Sequence, residues 1–185
     1  MVGDNDATLD GVVIGQNGAT FTTGASMEIT PPSELQVYTD ATVEIVFTLG
    51  EVDNRSVINI FEDNGLSQSY LYKLNDTTLY HIDDGVFDKQ TDNFDDTTRR
   101  IELPYDASEY YIVYRYNNDT LDVHVRITNI TTGVSYDKYY TATQPSKLVD
   151  SNVIFIGGNS NNGLENIKEI AMSNRYLSDE ELHLN

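Results

Sequence analysis

Apolar and polar residues alternate with a period of two along most of the chain, and no long segment has the apolar spacing of an amphipathic helix. Segment 42–49 shows the pattern most clearly, because one face carries Val43, Ile45, Phe47 and Leu49 and the other is mostly polar. Side chains of a strand point alternately to opposite faces, so this segment is predicted to be a half-buried strand. The chain as a whole is predicted to be all-β.

Two polar turns connect three neighbouring segments into a predicted antiparallel meander. The aromatic segment 110–116 is separated from the alternating segment 121–127 by Asn117-Asn118-Asp119, residue types that tolerate left-handed backbone angles. A second turn, Thr131-Thr132-Gly133, leads into segment 134–140. Because short turns join strands that pair, the three segments are predicted to be neighbours in one sheet.

Shorter apolar segments supply the other predicted strands, at residues 11–14, 19–21, 27–29, 57–61, 70–74, 78–82 and 153–156. The first three are expected to be short, and Pro31-Pro32 closes them because proline cannot continue a central strand. One helical turn is predicted near the C-terminus, where Ser178 and Glu181 have the spacing of a capping box ahead of Leu182.

The last thirty or so residues combine several specific features. An apolar run ends in Ile156-Gly157-Gly158, and segment 167–182 contains Asn174-Arg175 and then, one residue later, Leu177-Ser178-Asp179-Glu180-Glu181. This order resembles the closing signature of laminin-G-like domains, which belong to the concanavalin A-like lectin and glucanase group. The resemblance implies a two-sheet antiparallel jelly-roll sandwich. The family's glycine would fall near Gly163, so the extra residues after it predict a bulge or a longer loop.

Size and charge narrow the classes of protein and partner. A chain of 185 residues with 39% hydrophobic residues suits one domain, residues 1–185. The absence of cysteine excludes disulfides, thiolate metal sites and cysteine nucleophiles. A formal net charge of -19 repels phosphate backbones and anionic lipids, so no nucleic acid partner is expected. No apolar run approaches the roughly 18 residues of a membrane span, and no membrane insertion is expected.

A catalytic site is not predicted. Glucanases with this sandwich carry Glu-x-Asp-x-x-Glu on one strand, because a nucleophile and an acid must face the same glycosidic bond. Here Glu51-Val52-Asp53 begins the pattern, but Ser56 occupies the third position. The three histidines, His81, His124 and His183, are scattered, so neither a zinc site nor a Ser-His-Asp triad is supported. Each histidine is expected at the surface or as a strand residue, and the protein is predicted to be non-enzymatic.

Sugar binding is an alternative that the aromatic residues leave open. The chain has no tryptophan, the most common stacking platform, but it has 13 tyrosines. Six of them lie in predicted strands and offer possible ring faces: Tyr70, Tyr72, Tyr110, Tyr114, Tyr139 and Tyr140. Tyrosines in strands usually pack against neighbours, so packing is the first expectation for each.

No cofactor is predicted, although calcium remains an alternative. Many members of the resembling family bind calcium at a rim through carboxylate and carbonyl oxygens. The adjacent pairs Asp83-Asp84 and Asp95-Asp96 are the obvious candidates. Adjacent aspartates in loops are usually solvated turn residues, and no defined calcium-loop spacing is present, so no metal ligand is assigned.

The function predicted from the sequence is a non-enzymatic structural protein on a bacteriophage virion surface, such as a head decoration, head fibre or tail accessory with an adhesion role. The start at Met1 shows no secretion signal, and a lone cysteine-free domain of this type is expected to assemble in the host cytoplasm. Predicted partners are capsid, portal or tail proteins, further copies of the chain, and a host surface glycan. The alternative is a carbohydrate-binding, lectin-like module, with calcium dependence left open.

Overall fold

The computed structural model describes the backbone of residues 7–29, 40–49, 55–63, 67–75, 78–83, 101–104, 108–141, 154–157 and 164–183. Side chains are described for residues 7–22, 24–29, 40–48, 108–139, 141 and 166–183. Within these ranges the regular structure is β-strand throughout, apart from one 3-10 turn at Asp179–Glu181. The all-β prediction and the predicted C-terminal turn are confirmed.

The described strands follow one another along the chain as β1 Ala7–Gly15, β2 Gly18–Ile29, β3 Ala41–Leu49, β4 Arg55–Asp63, β5 Ser67–Asn75, β6 Thr78–Asp83, β7 Ile101–Pro104, β8 Glu109–Tyr116, β9 Asp122–Asn129, β10 Ser135–Thr141, β11 Ile154–Gly157 and β12 Leu164–Ser173. Their hydrogen-bonded order is β10-β9-β8-β3-β12-β2-β11-β4-β5-β6-β7, with β1 paired to β2. Every described pairing is antiparallel. The predicted meander corresponds to β8, β9 and β10.

Strand β2 belongs to both layers of the sandwich. Its first part pairs with β12 through Ala19 and Thr20, and its last part pairs with β11 from Ser26 to Ile29. We call the layer of β10, β9, β8, β3 and β12 sheet A, and the layer of β11, β4, β5, β6 and β7 sheet B. A strand that passes from one sheet to the other is a usual way to build the corner of a sandwich. The predicted two-sheet antiparallel jelly-roll sandwich is confirmed.

The expectation of short strands before Pro31 is wrong. Instead, β1 and β2 form a long hairpin that bends where Gly11 and Gly24 adopt φ values of 68° and 82°. The pairing register slips at the same place, and the Thr22 hydroxyl donates a hydrogen bond to the Gly11 carbonyl oxygen at 2.9 Å. Glycine adopts positive φ without a steric penalty, so the chain bends here and continues as a strand.

The main core lies on the inner face of sheet A. Its buried apolar residues come from β2, β3, β8, β9 and β12 and include three of the four residues in the predicted inward set of β3; the side chain of the fourth, Leu49, lies outside the described residues. Phe47 and Tyr110 are fully buried there, with ring centroids 5.9 Å apart in a stacked arrangement. Alternation therefore correctly predicted the described inward residues of β3 and those of β9, whereas β8, for which no face was assigned, is buried on both faces.

The outer face of β3 differs from its prediction. Thr42 and Glu44 are each only 1% exposed, because residues 174–183, here called the closing segment, lie across β3 and β8. Leu177 and Leu182 of this segment join Val46 and two residues of β8 in a second buried cluster. Strand β3 is thus buried on both faces, although its sequence alternates like a half-buried strand.

The predicted irregularity before Ile167 is present in β12. The register of β12 with β3 shifts between Leu164 and Asn166 and again between Ile167 and Glu169, as expected of a bulged strand. The β1–β2 turn approaches this region closely, since a β-carbon on Gly18 would collide with the Ile167 carbonyl oxygen. Within the part of the chain that the structure describes, no helix is long and apolar enough to span a membrane.

Candidate functional site

Polar residues line the outer face of β9 and β10, beside the part of sheet A that the closing segment covers. We call this surface the outer ladder; it consists of Asp122, His124, Arg126 and Thr128 on β9 and of Ser135, Asp137, Tyr139 and Thr141 on β10. The antiparallel register sets them opposite one another in pairs, with Tyr139 against His124 and Asp137 against Arg126. Inward apolar residues alternate with them along β9, so strand geometry alone turns these polar groups outward.

Tyr139 provides an exposed aromatic surface in the middle of the outer ladder. Its ring is stacked on His124 with centroids 4.1 Å apart and planes 3° from parallel. The residue is nevertheless 66% exposed, whereas His124 beneath it is 1% exposed. One face of the tyrosine ring is therefore supported by the imidazole, and the other is available to a ligand from solvent.

An ionic network surrounds this stacked pair. Arg126 donates from Nε to Asp137 at 2.8 Å and from Nη1 to Asp179 at 2.9 Å. Arg115, a buried residue of β8, binds the other carboxylate oxygen of Asp179 through Nη2. The closing segment is thus attached to two strands of sheet A through a single carboxylate. Both hydrogen bonds from arginine hold the pKa of Asp179 below its usual value.

His124 is held between this network and Tyr139. Its Nε2 lies 2.6 Å from Asp137 Oδ1, and its Nδ1 lies 3.2 Å from Arg115 Nη1. Because arginine can only donate, Nδ1 accepts and the imidazole is neutral with its proton on Nε2. Burial lowers the pKa of His124, and it outweighs the hydrogen bond to Asp137, which acts in the opposite direction. The supporting ring is therefore uncharged at neutral pH.

A second tyrosine borders the site from the closing segment. The Arg115 guanidinium carbon lies 5.9 Å from the centre of the Tyr176 ring, within the range of a cation–π contact. Burial raises the pKa of Tyr176. The positive charge of Arg115 acts to lower this pKa, and the negative charge of Asp122 acts to raise it. Tyr176 thus lies between the buried network and the exposed end of the outer ladder, so two aromatic residues and several carboxylates share one surface.

The arrangement can contact a ring-shaped polar ligand in two ways. The free face of Tyr139 can stack on an apolar ring face, and the carboxylates of Asp122 and Asp137 can accept hydrogen bonds from hydroxyl groups. No proton-transfer pair is needed for either contact.

The six sequence candidates for aromatic binding have different outcomes. Tyr110 and Tyr114 are buried in the core, so the packing expectation is confirmed for both. Tyr139 lies on the outer face and is exposed, which makes it a candidate binding residue. The side chains of the other three, Tyr70, Tyr72 and Tyr140, lie outside the described residues.

The candidates for metal binding and catalysis fall largely outside the described residues. Glu51, Asp53, Asp84, Asp95 and Asp96 lie outside the described residues. Asp83 and His81 are described by their backbone alone. Among the described side chains, no three His, Asp or Glu groups are placed to hold one metal ion. Calcium binding at the aspartate pairs and the absence of catalysis stay predictions.

Sequence reasoning missed most of the network. His124 is a strand residue, which is one of the two expectations, but its burial with a partner on each ring nitrogen is not predicted by the sequence. Arg115 and Asp179 are 64 residues apart, and only the path of the closing segment brings them together. The available signal was local: a row of outward polar residues on two strands that a short turn was already predicted to pair.

Comparisons with known proteins agree on the fold. No protein-family model and no curated protein matches the sequence. Among solved structures, the receptor-binding domain of botulinum neurotoxin mosaic serotype C/D matches with a TM-score of 0.65 at 13% identity, over 96% of this chain and 44% of that chain. The enzymatically active domain of tailspike protein 2 of bacteriophage CBA120 matches with a TM-score of 0.59 at 10% identity, over 98% of this chain and 30% of that chain.

A third solved structure has nearly the same extent as this chain. The CBM40 domain of the Ruminococcus gnavus IT-sialidase, bound to α2,3-sialyllactose, matches with a TM-score of 0.54 at 12% identity, over 95% of this chain and 96% of that chain. By contrast, the chain spans less than half the length of the toxin and tailspike chains. These neighbours are lectin-like β-sandwich domains, and at this level of identity the likeness establishes the fold.

Proposed function

We propose that this protein is a lectin-like, carbohydrate-binding domain that contacts a glycan through the outer ladder. The observation that carries the proposal is the ring of Tyr139, which is 66% exposed yet held in place by stacking on His124. An exposed aromatic ring with a fixed orientation is the contact that a sugar ring needs, because stacking then costs little side-chain entropy.

The surroundings of this ring fit the polar part of a sugar. Asp137 lies next to Tyr139 on the same strand face, and Asp122 lies across the ladder, opposite Thr141. Asp122 accepts hydrogen bonds from the Thr120 and Thr141 hydroxyls at 2.7 and 3.5 Å. A carboxylate has about four acceptor positions, so both aspartates can accept further hydrogen bonds from sugar hydroxyls. A sugar stacked on Tyr139 thus meets polar groups along its edge, as in other ligand sites that combine a few polar groups with apolar contact.

The comparisons support the same class of function without identifying a ligand. One neighbour of nearly equal length is a carbohydrate-binding module bound to sialyllactose, and another is a toxin receptor-binding domain. Their shared fold offers a rigid pair of sheets on which exposed residues can vary. The proposal for this chain rests on Tyr139 and its neighbours, because the fold hosts several functions.

A glycan array followed by titration calorimetry tests the proposal. We expect saturable binding of at least one glycan, with a loss of about tenfold or more in Tyr139→Ala and near-normal affinity in Tyr139→Phe, which keeps the ring. Ile130→Ala is the matched control, since Ile130 is exposed on the turn after β9. Binding that survives Tyr139→Ala unchanged contradicts the proposed site, and an array without any saturable binder contradicts the function.

We also propose that the domain acts at the surface of a bacteriophage virion as a non-enzymatic decoration, fibre or tail component with an adhesion role. The tailspike neighbour favours this setting, because its likeness extends over 98% of this chain. Capsid, portal or tail proteins are then the partners, and the host glycan is the target. Mass spectrometry of purified particles tests the setting, since absence from every preparation of virions rejects it while leaving glycan binding intact.

The non-enzymatic part has its own test. Incubation with each glycan that binds should give no change in glycan mass over many hours. Turnover that disappears in Glu51→Gln or Asp53→Asn would assign hydrolysis to the chain.

Repeating the binding assay with a chelator separates calcium-dependent from calcium-independent recognition.

A further inference from the structure

The charged groups of the outer ladder and of its border with the closing segment differ in exposure. Their guanidinium groups are less exposed than their carboxylates. Both guanidinium groups of the site are engaged, Arg126 by Asp137 and Asp179, and Arg115 by Asp179 and His124. Arg126 is partly exposed at 25%, but its Nε and Nη1 both point to carboxylates. A ligand carboxylate would therefore compete with protein carboxylates for each of these cations.

The carboxylates are more exposed than the guanidinium groups, although each already accepts hydrogen bonds within the protein. The side chains of Asp137 and Asp179 are 32% and 49% exposed, and Asp122 is exposed at the end of β9. Among the described groups, two guanidinium groups against these three carboxylates leave one excess negative charge. The chain as a whole carries a formal charge of -19, so the surrounding field has the same sign.

We propose that the sugar recognised by the outer ladder is uncharged, and that glycans with a terminal carboxylate or sulfate are disfavoured. This inference rests on the proposed carbohydrate-binding function and goes further by naming the ligand class. Sugar hydroxyls are donors that match the exposed carboxylates of Asp122 and Asp137. An anionic group in the same position places like charges a few ångströms apart, and the two described guanidinium groups beside it already bind protein carboxylates.

The inference separates this chain from a structural neighbour of the same size. That carbohydrate-binding module is bound to α2,3-sialyllactose, a glycan with a carboxylate. At 12% identity the two chains share a fold, and the charge of the site is set by each sequence. A shared sandwich is therefore compatible with opposite preferences for ligand charge.

A glycan array of matched pairs, in which members differ only by a terminal sialic acid or sulfate, provides the test. It is run on the full chain at pH 7 and low salt, and each pair that binds is then titrated by calorimetry. The uncharged member of each pair is expected to bind about tenfold tighter or more. The preference should shrink at high salt because screening weakens the repulsion.

Two substitutions link the preference to the site. Asp122→Asn removes an exposed carboxylate and is expected to reduce the affinity ratio between uncharged and charged glycans severalfold. Asp137→Asn should reduce the same ratio. Glu169→Gln on β12 is the control, because it removes one negative charge from the same chain outside the ladder. Equal or tighter binding of the charged members overturns the inference while leaving carbohydrate binding in place. Failure of every glycan to bind rejects the proposed function itself.

Discussion

Two regions of the outer face of sheet A share the same backbone geometry but differ in how far their side chains are buried. On β3 and β8 the face is covered by the closing segment, and Val113 and Leu177 are fully buried. On β9 and β10 the same face is open, and Tyr139 is exposed. The difference comes from the path of residues 174–183, whose described hydrogen bonds extend from Thr42 and Glu44 of β3 to Arg126 of β9. Contact with the closing segment buries the first region, and the second presents an exposed aromatic ring.

The largest expected effect lies in the covered region. Leu177→Ala should lower the free energy of unfolding by about 2 to 5 kcal/mol, because it leaves a cavity against Val46, Tyr111 and Val113. Chemical denaturation measures the change. The matched control is Leu9→Ala, since Leu9 is 40% exposed on β1 and its truncation should cost under about 0.5 kcal/mol. Equal costs at the two positions would mean that the closing segment does not cover sheet A.

The second prediction concerns the buried carboxylate beneath the closing segment. Glu44 accepts hydrogen bonds from the Tyr111 hydroxyl at 2.6 Å and from the His183 backbone N–H at 3.1 Å. Glu44→Ala leaves these donors without that acceptor and should destabilise the fold by about 1 to 3 kcal/mol. The same experiment on Glu169→Ala, an exposed glutamate of β12, should show almost no change. A neutral result for Glu44→Ala would contradict the described contacts.

A smaller effect is expected from acidification, at the border of the two regions. The pKa of His124 in the folded protein lies below its ordinary value of 6.5. The unfolded chain therefore binds the proton first, so the stability that the neutral ring contributes is complete above about pH 6.5 and is lost as the pH falls through the lowered pKa. Protonation is opposed by burial and by Arg115 and Arg126, and favoured by Asp137.

Thermal unfolding at pH 7.5 and pH 5.5 measures this dependence. The wild-type protein should lose more stability between the two values than His124→Gln, which cannot take up the proton. His183→Gln serves as the control and should behave like the wild type, because His183 is exposed. The contribution of Asp179 is not sampled in this window, since its pKa is lowered from an already acidic value of 3.8. Identical losses in all three proteins would contradict the assigned state of His124.

The smallest effect on stability is expected in the open region. Tyr139→Ala should change the free energy of unfolding by less than about 0.5 to 1 kcal/mol, because the ring is mostly exposed and loses chiefly its stacking on His124. Glycan affinity should fall much more. A large loss of stability without any effect on binding would show that Tyr139 is a packing residue. The outer face of β9 and β10 would then depend on its side chains for stability, as the outer face of β3 and β8 does.

Much of this architecture is predictable from local sequence. The meander of β8, β9 and β10 follows from alternation and two polar turns, and the capping turn follows from Ser178 and Glu181, whose carboxylate accepts from the Ser178 N–H at 3.0 Å. The bulge before Ile167 follows from extra residues in a resembling pattern. The length of the β1–β2 hairpin was not predictable in the same way, because glycines that end a strand in one context bend it in another.

Alternation in the sequence was enough to assign the described inward residues of β3 and β9, because that assignment depends only on a two-residue period and on turns between near neighbours. Only the tertiary structure decided what happens on the opposite face. Glu44 and His124 both occupy outward positions, yet both are buried, one beneath the closing segment and the other beneath Tyr139. The burial of Glu44 depends on His183, 139 residues away, and no local pattern encodes that contact, whereas His124 is covered by its partner across the predicted β9–β10 turn.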